Sequence, residues 1–280
     1  MIDFFSNREL SIVFWLTIFL VFALLKKDVR KSSKHLISAF FQHKIIVVTL
    51  LMIVYIESII LGLVKIGFWE PSLLKDTFYW PIFVGFPLLM KTTKIGSKKQ
   101  YLKSILVGSI KGVVIIEFIA NFYSFSLLTE FILIPVMTII GGSQIFAKDK
   151  PEYHVVEKLF SNIVFLFGLV VLLYTSYQIY QGFGEFANLT TLKSFLLPII
   201  LTILFLPFLY FITLWSLYET MLFRIGHRLK KEKVKRYLKW RMFTTFFFNR
   251  KKLRKFQEDL GFETISERKD IKKAILKFKN

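Results

Sequence analysis

The chain alternates between long apolar runs and short polar connections that are mostly basic. A helix needs about 20 apolar residues to cross the hydrocarbon core of a bilayer. Six runs approach that length and carry few charges, so the pattern predicts an all-α, polytopic membrane helix bundle. The predicted spans are 10–25, 45–66, 102–123, 127–147, 159–181 and 194–221.

A seventh apolar run, at 78–90, contains Pro81, Gly85 and Pro87 and is too short for an upright helix. It either crosses as a broken helix or enters the membrane and returns as a re-entrant loop. Connections rich and poor in Lys and Arg alternate along the chain without exception only if this run crosses. By the positive-inside rule, the sequence then predicts about seven spans, with the N-terminus outside and the C-terminus in the cytoplasm.

Composition supports a membrane protein and restricts its chemistry. Hydrophobic residues make up 54% of the 280 positions, with 33 Phe and a mean hydropathy of +0.54. The absence of Cys excludes disulfides and thiolate metal sites. Heavy use of Lys, Ile, Phe and Asn suggests an AT-rich genome, hence a bacterial inner (plasma) membrane.

No motif predicts an enzyme or a bound cofactor. None of the four His is spaced like a metal-binding pair on one helix face, and all fall in predicted loops or the tail. The sequence also lacks a nucleophile elbow, a paired Asp motif and a glycine-rich phosphate loop. Non-enzymatic function classes are therefore favoured.

Three polar residues interrupt the apolar hairpin formed by the spans at 102–123 and 127–147. Glu117 and Asn121 are four residues apart on one helix face, and Glu130 follows the turn. Because a charged side chain cannot comfortably face lipid, these residues either form a packing surface between helices or line the outer vestibule of an aqueous path. The last span offers further candidate pore-lining residues at Thr213, Ser216 and Glu219.

Two opposite charges lie near the middle of two spans. Glu57 falls in the span at 45–66 and Lys111 in the span at 102–123. Since an unpaired charge at that depth is costly, we expect a structural ion pair between them, with a role in permeation as the alternative.

The C-terminal tail is strongly basic. Residues 222–280 contain twenty Lys and Arg against six acidic residues. The sequence predicts a transmembrane helical domain at 1–221 and a cytoplasmic basic helical domain at 222–280. Cations interleaved with aromatics suit a nucleic-acid backbone with stacked bases, and equally an anionic leaflet. The candidate nucleic-acid-binding residues are Arg228, Lys230, Lys231, Lys235, Arg236, Lys239, Trp240, Arg241, Arg250, Lys251 and Arg254.

Three segments of the chain resemble the membrane effector of the bacterial Hailong anti-phage system. They are the hairpin EFIANFYSFSLLTEFILIPVMT, the proline-bearing last span LLPIILTILFLPFLYFITLW and the basic tail. The resemblance covers the chain from about residue 102 onward and assigns no individual functional residue. It implies an ion-channel domain with a soluble crown domain. It also implies a ligand, single-stranded DNA oligomers made by a partner nucleotidyltransferase, that binds the effector and holds the channel shut.

These features together predict a homo-oligomeric, gated ion channel of the inner membrane. Its basic cytoplasmic domain would bind a nucleotide or single-stranded DNA oligomer in anti-phage defence. The alternative is a transporter or lipid-handling protein whose polybasic tail clamps the anionic leaflet. A non-conducting membrane anchor for a partner is a third possibility.

Overall fold

A computed structural model of the chain is almost entirely helical in the part that it describes, and no strand occurs there. The all-α fold class is therefore confirmed for these residues. The described residues are 5–95, 105, 108, 112–148, 150–228, 232–246, 252–253, 256, 269 and 271–273.

Within the described residues, eleven α-helices are numbered in chain order, and three short segments of other helix types lie between them. The α-helices are α1 (Asn7–Leu25), α2 (Lys27–Phe40), α3 (His43–Lys65), α4 (Leu74–Trp80), α5 (Phe86–Ile95), α6 (Gly112–Phe122), α7 (Leu127–Lys148), α8 (His154–Gln181), α9 (Phe183–Phe186), α10 (Leu189–Arg228) and α11 (Glu232–Phe246). The other segments are 3₁₀ turns at Pro71–Leu73 and Pro151–Tyr153 and a π-helical turn at Pro81–Gly85.

Five helical segments within the described ranges are long and apolar enough to cross a membrane. They coincide with five of the predicted spans and are compatible with a multi-pass membrane protein. The predicted span at 102–123 is described mainly through α6, so the count of seven spans stays a prediction. The five segments are Asn7–Leu25, His43–Lys65, Leu127–Lys148, Pro151–Gln181 and Leu189–Phe223.

The predicted short span at 78–90 lies on a longer helical run. α4, the π-helical turn and α5 follow one another without a break from Leu74 to Ile95. At 1.5 Å per residue this run is about 33 Å long, close to the thickness of the hydrocarbon core. Its length is therefore compatible with the predicted crossing, which itself stays a prediction.

The π-helical turn is packed against a buried indole. The backbone N–H of Phe86 donates to the carbonyl of Pro81, five residues earlier. The Trp80 ring is buried and its Nε1–H donates to Thr202 Oγ1 at 3.1 Å. A β-carbon added at Gly85 would lie 3.1 Å from that ring. Gly85 is therefore the residue that allows this turn to close over Trp80.

The chain divides into two compact units. The first comprises 1–50, 63–77 and 108–199, and the second comprises 51–62, 78–107 and 200–280. In the first unit α7 packs against α1 and α8, and α6 packs against α8. In the second unit, buried residues on both sides of the predicted boundary at 221/222 form one cluster. Its members are Leu214, Met221, Val234, Leu238, Met242, Phe246, Leu253, Phe256 and Ile271. The predicted domain division itself stays a prediction.

Local capping explains where α1 and α10 begin. Ser6 Oγ accepts the backbone N–H of Glu9 at 3.3 Å, and the Glu9 carboxylate accepts that of Ser6 at 2.8 Å. This reciprocal pair is a capping box. Asn188 plays the corresponding part for α10, because its Oδ1 accepts the N–H of Thr191 at 2.7 Å.

A proline inside α7 leaves one backbone carbonyl without its helical partner. Pro135 has no N–H, so the carbonyl of Phe131, four residues earlier, loses its intrahelical hydrogen bond. The indole Nε1–H of Trp15 in α1 donates to this carbonyl at 2.8 Å. A neighbouring helix therefore satisfies the freed group, as membrane-spanning helices require.

Candidate functional site

Arg8 connects the start of α1 to the polar residues of the α6–α7 hairpin. Its Nε lies 3.1 Å from Glu130 Oε1. Its terminal nitrogen donates to the Ala120 carbonyl at 3.2 Å and to Asn121 Oδ1 at 2.9 Å. One guanidinium thus binds acceptors on both arms of the hairpin, which suits its fixed fork of donors.

Glu130 is buried, with a relative accessibility of 3%. Besides Arg8, its Oε1 accepts the backbone N–H of Phe125 at 3.0 Å. The residue also lies in the first turn of α7, where the helix dipole favours a negative charge. In the single chain the Glu130 charge is therefore balanced inside the protein, and its predicted pore-lining role stays a prediction.

Asn121 is exposed and serves both as acceptor and donor. It receives the hydrogen bond from Arg8, and its Nδ2 donates to the Glu117 carbonyl at 2.8 Å. The structure thus brings Asn121 and Glu130 together through Arg8. Sequence reasoning placed these two residues at one end of the hairpin but did not find the cation between them.

Glu117 differs from Glu130 in its surroundings. Its side chain is exposed, one turn before Asn121 in the apolar helix α6. The carboxylate makes no hydrogen bond or ion pair with any residue that the structure describes. Of the two predicted vestibule carboxylates, Glu117 is thus the one that presents a charge at the surface of the chain.

Glu57 is a second exposed carboxylate within a candidate span. Val54 and Leu61 flank it at helical spacing on α3 and are exposed for 66% and 62%. Its carboxylate likewise has no hydrogen-bond or ion-pair partner within the described ranges. Lys111 lies outside the described residues, so the expected Glu57–Lys111 pair stays a prediction.

The candidate residues of the last span are enclosed to different degrees. Thr213 is buried, and its hydroxyl donates to the Leu209 carbonyl at 2.7 Å. Ser216 and Glu219 are half-buried. This side of α10 therefore contributes mainly to packing in the single chain, and its pore-lining role stays a prediction.

α11 has a buried apolar face. Val234, Leu238, Met242 and Phe246 recur every four residues and are all buried. They belong to the cluster that includes Leu214 and Met221 of α10. Tyr218 of α10 also donates from its hydroxyl to the Met242 carbonyl at 3.5 Å. The first helix of the basic tail is thus packed onto the end of the last candidate span.

The opposite face of α11 carries cations and aromatic rings. Lys233, Arg236, Trp240 and Phe243 follow one another at spacings of three and four residues, and all are exposed. Trp240 and Phe243 expose 61% and 57% of their surface. We call these four residues the α11 stripe. The sequence prediction included Arg236 and Trp240 but missed Lys233 and Phe243, although their helical spacing was a usable signal.

The other predicted ligand-binding residues are only partly described. Lys239 is exposed next to the stripe. Lys235 binds Glu232 at 2.7 Å, and this contact holds the pKa of Glu232 below its ordinary value. Arg241 is half-buried, and its buried Nε has no hydrogen-bond partner among the described residues. Arg228 is the last residue of α10. Lys230, Lys231, Arg250, Lys251 and Arg254 lie outside the described residues.

Glu70 provides a further polar contact within the first unit. Thr190 Oγ1 donates to its carboxylate at 3.1 Å, and Lys193 Nζ lies 3.4 Å from it. These contacts, together with a hydrogen bond from the Ser72 hydroxyl as the largest cause, hold the pKa of Glu70 below its ordinary value. The ionised carboxylate therefore connects the segment after α3 to the first turns of α10.

Comparison with protein-family models, curated proteins and solved structures finds no match to this chain. The resemblance to the Hailong effector therefore stays a prediction. The site has to be interpreted from its own residues, and the described part contains no cluster of His, Cys, Asp and Glu able to hold a metal ion.

Proposed function

We propose that this protein is a homo-oligomeric, gated ion channel of the bacterial inner membrane. A nucleotide or single-stranded DNA oligomer binds its basic C-terminal region and sets the state of the channel. Its role is anti-phage defence, in line with the Hailong resemblance, and a nucleotidyltransferase supplies the ligand.

The exposed Glu117 carboxylate, which has no partner among the described residues, carries the ion-pathway part of the proposal. An ionised side chain costs roughly 3 kcal/mol or more at mid-depth in a bilayer if it faces lipid. Glu117 avoids that cost if copies of the chain assemble so that it faces water. A ring of such carboxylates raises the local concentration of cations and disfavours anions.

The α11 stripe supports the ligand-binding part of the proposal. Its cations can neutralise phosphates, and base stacking on an aromatic ring such as Trp240 contributes about 1–3 kcal/mol per base. An anionic nucleotide strand offers both phosphates and bases, whereas inorganic anions offer no surface for stacking.

The packing of α11 onto α10 supports the coupling between ligand and channel. α10 has 40 residues, about 60 Å at 1.5 Å per residue, which is about twice the thickness of the hydrocarbon core. Its Leu214 and Met221 share a core with the buried face of α11. A ligand that prefers one arrangement of this core shifts the channel toward that arrangement, by no more than its difference in affinity for the two states.

The binding test uses the full chain in detergent with a short single-stranded DNA. Changing Lys233, Arg236 and Lys239 to Gln removes exposed cations and leaves the buried face of α11 intact. Because each lost phosphate contact lowers the salt slope of log affinity by about 0.7 for single strands, three contacts lower it by about 2. A matched control exchanges Lys and Arg at the same positions and keeps the slope.

Trp240→Ala provides a second arm that does not depend on charge. We expect it to weaken binding to the DNA without changing the salt slope, since it removes stacking alone. Unchanged DNA binding in both the Gln variant and Trp240→Ala would overturn the ligand proposal. If both variants instead lose binding only to anionic vesicles, the tail clamps the leaflet, as in the alternative of a transporter or lipid-handling protein.

A further inference from the structure

α2 is an amphipathic helix in the basic connection between the first two candidate spans. Val29, Leu36 and Phe40 fall within about 40° of one another at 100° of rotation per residue. Each is exposed, by 36%, 62% and 50% respectively. No residue of α2 is buried in the chain.

The basic residues of α2 lie on the opposite side of the helix. Their directions fall within about 100° of one another, centred roughly 150° from the apolar side. A helix with this division of cations and apolar side chains is typical of one that lies in a membrane interface. The basic residues are Lys27, Arg30, Lys31 and Lys34.

The lengths of the neighbouring helices fix where α2 can lie. It is joined to α1 through Lys26 alone and to α3 through Phe41 and Gln42. Lys26 has extended backbone angles, φ −76° and ψ 125°, which separate α2 from α1. α3 has 23 residues, about 35 Å, so it has little length to spare beyond one crossing.

With α1 and α3 both crossing the membrane, these lengths exclude an α2 that projects from its surface. α2 has 14 residues and is about 21 Å long. If it stood upright on the surface, α3 would begin about 20 Å away from the bilayer and could not cross it. Both ends of α2 are therefore held at the membrane surface, and the helix has to lie along it.

We propose that α2 is an in-plane membrane helix whose apolar side enters the acyl region and whose basic side binds the headgroups of anionic phospholipids. The charge of α2 indicates which kind of surface it binds. The four cations sit beside one acidic residue, Asp28. An anionic leaflet satisfies both sides of the helix at once, whereas a purely apolar partner surface leaves the cations without counter-charges.

The position of α2 can be measured directly because the chain contains no Cys. Ser33→Cys places a spin label about 40° from Val29, on the apolar side, and Ser38→Cys places one about 180° from it, on the basic side. The full-length protein is reconstituted in vesicles of phosphatidylcholine with phosphatidylglycerol. We expect the label at 33 to be relaxed by oxygen and protected from a water-soluble nickel chelate, and the label at 38 to show the reverse.

Two results of this measurement would overturn the proposal. Equal access of the nickel chelate to both labels means that α2 is off the membrane. Protection of the label at 33 from both oxygen and the chelate means that protein, such as a second copy of the chain, covers the apolar side.

Headgroup recognition has a separate readout. A fluorophore at Ser38→Cys is quenched by nitroxide-labelled phosphatidylglycerol or phosphatidylcholine, and the ratio gives the local preference. Each cation near an anionic surface strengthens the attraction about fivefold. Changing Arg30, Lys31 and Lys34 to Gln should therefore lower the preference by about fivefold for each of these cations that lies at the surface. Exchanging Lys and Arg at these positions should keep the preference. A preference unaffected by the Gln changes would contradict binding by this face.

Discussion

Replacing Trp15 by Phe removes one hydrogen-bond donor from the contact between α1 and α7 and keeps an aromatic ring in place. The lost donor serves the Phe131 carbonyl, which Pro135 leaves without a helical partner. An unsatisfied buried acceptor costs about 1–3 kcal/mol, and hydrogen bonds between membrane helices contribute about 0.6 kcal/mol on average and at most about 1.7. We therefore expect Trp15→Phe to lower the free energy of unfolding by about 1–2 kcal/mol.

Pro135→Ala separates this hydrogen bond from the loss of ring volume. Ala restores the backbone N–H, so the Phe131 carbonyl regains its intrahelical partner. Trp15→Phe should then cost about 1 kcal/mol less in the Pro135→Ala background than in the parent chain. Such a coupling between two positions is what a double-mutant cycle measures.

The four proteins of the cycle are unfolded reversibly in mixed micelles of increasing dodecyl sulfate content and followed by circular dichroism. Trp215→Phe is the matched control, because Trp215 is exposed for 60% and makes no hydrogen bond with a described residue. Its cost should be the same in both backgrounds. If Trp15→Phe costs equally with and without Pro135→Ala, the proposed replacement of the backbone hydrogen bond is wrong.

Three further changes test other parts of the structure. Arg8→Gln leaves the buried Glu130 unpaired and should cost about 3 kcal/mol in the same unfolding assay. Changing Arg8 and Glu130 together to Gln should cost less than the sum of the two single changes. Additive losses would refute the Arg8–Glu130 ion pair. Gly85→Ala should cost about 1–3 kcal/mol through overpacking on the adjacent indole. Gly168→Ala is the control and should not be destabilising, because apart from its chain neighbours and the adjacent helix backbone the added carbon would meet nothing within 4 Å. Because the pKa of Glu70 is lowered in the folded chain, its ionised form stabilises the fold above its ordinary pKa, and this contribution is lost as the pH falls through the folded value. Glu70→Gln should therefore be destabilising at pH 7 and equal to the parent at pH values below the folded pKa of Glu70. A difference that persists at acid pH would contradict this.

The apolar runs predicted much of the helical architecture because the backbone N–H and C=O groups of each span have to be hydrogen-bonded within the span. Five predicted spans match helices of sufficient length and hydropathy. The hairpin residues Asn121 and Glu130 were also placed together, since a short turn separates their helices. Such local features follow from the period and length of the pattern.

Contacts between residues far apart along the chain were not predicted. Arg8 binds Glu130 across 122 positions, and Trp15 binds the Phe131 carbonyl across 116. Helix packing decides which residues meet at such a distance, and the pattern of one chain does not specify it. Pro135 by itself does not specify which side chain binds the Phe131 carbonyl that it leaves free.

The basic connection before α3 was interpreted through its charge alone. The count of Lys and Arg predicted the topology of the spans. It did not use the spacing of Val29, Leu36 and Phe40, which indicates an amphipathic helix. The C-terminal boundary at 221/222 was placed where charge begins to rise. Met221 and Val234, which lie on either side of that boundary, belong to one buried cluster.

Ion selectivity of the Glu117→Gln protein tests the channel proposal most directly. The purified parent and variant are reconstituted in planar bilayers, and reversal potentials are measured in asymmetric salt at low ionic strength, where charge screening is weakest. Glu185→Gln is the control, since it neutralises an exposed carboxylate in the short helix α9. The account predicts normal yield and assembly for both variants, with cation preference lost only in Glu117→Gln. A parent protein that does not conduct, or an ion preference unchanged by Glu117→Gln, would contradict it.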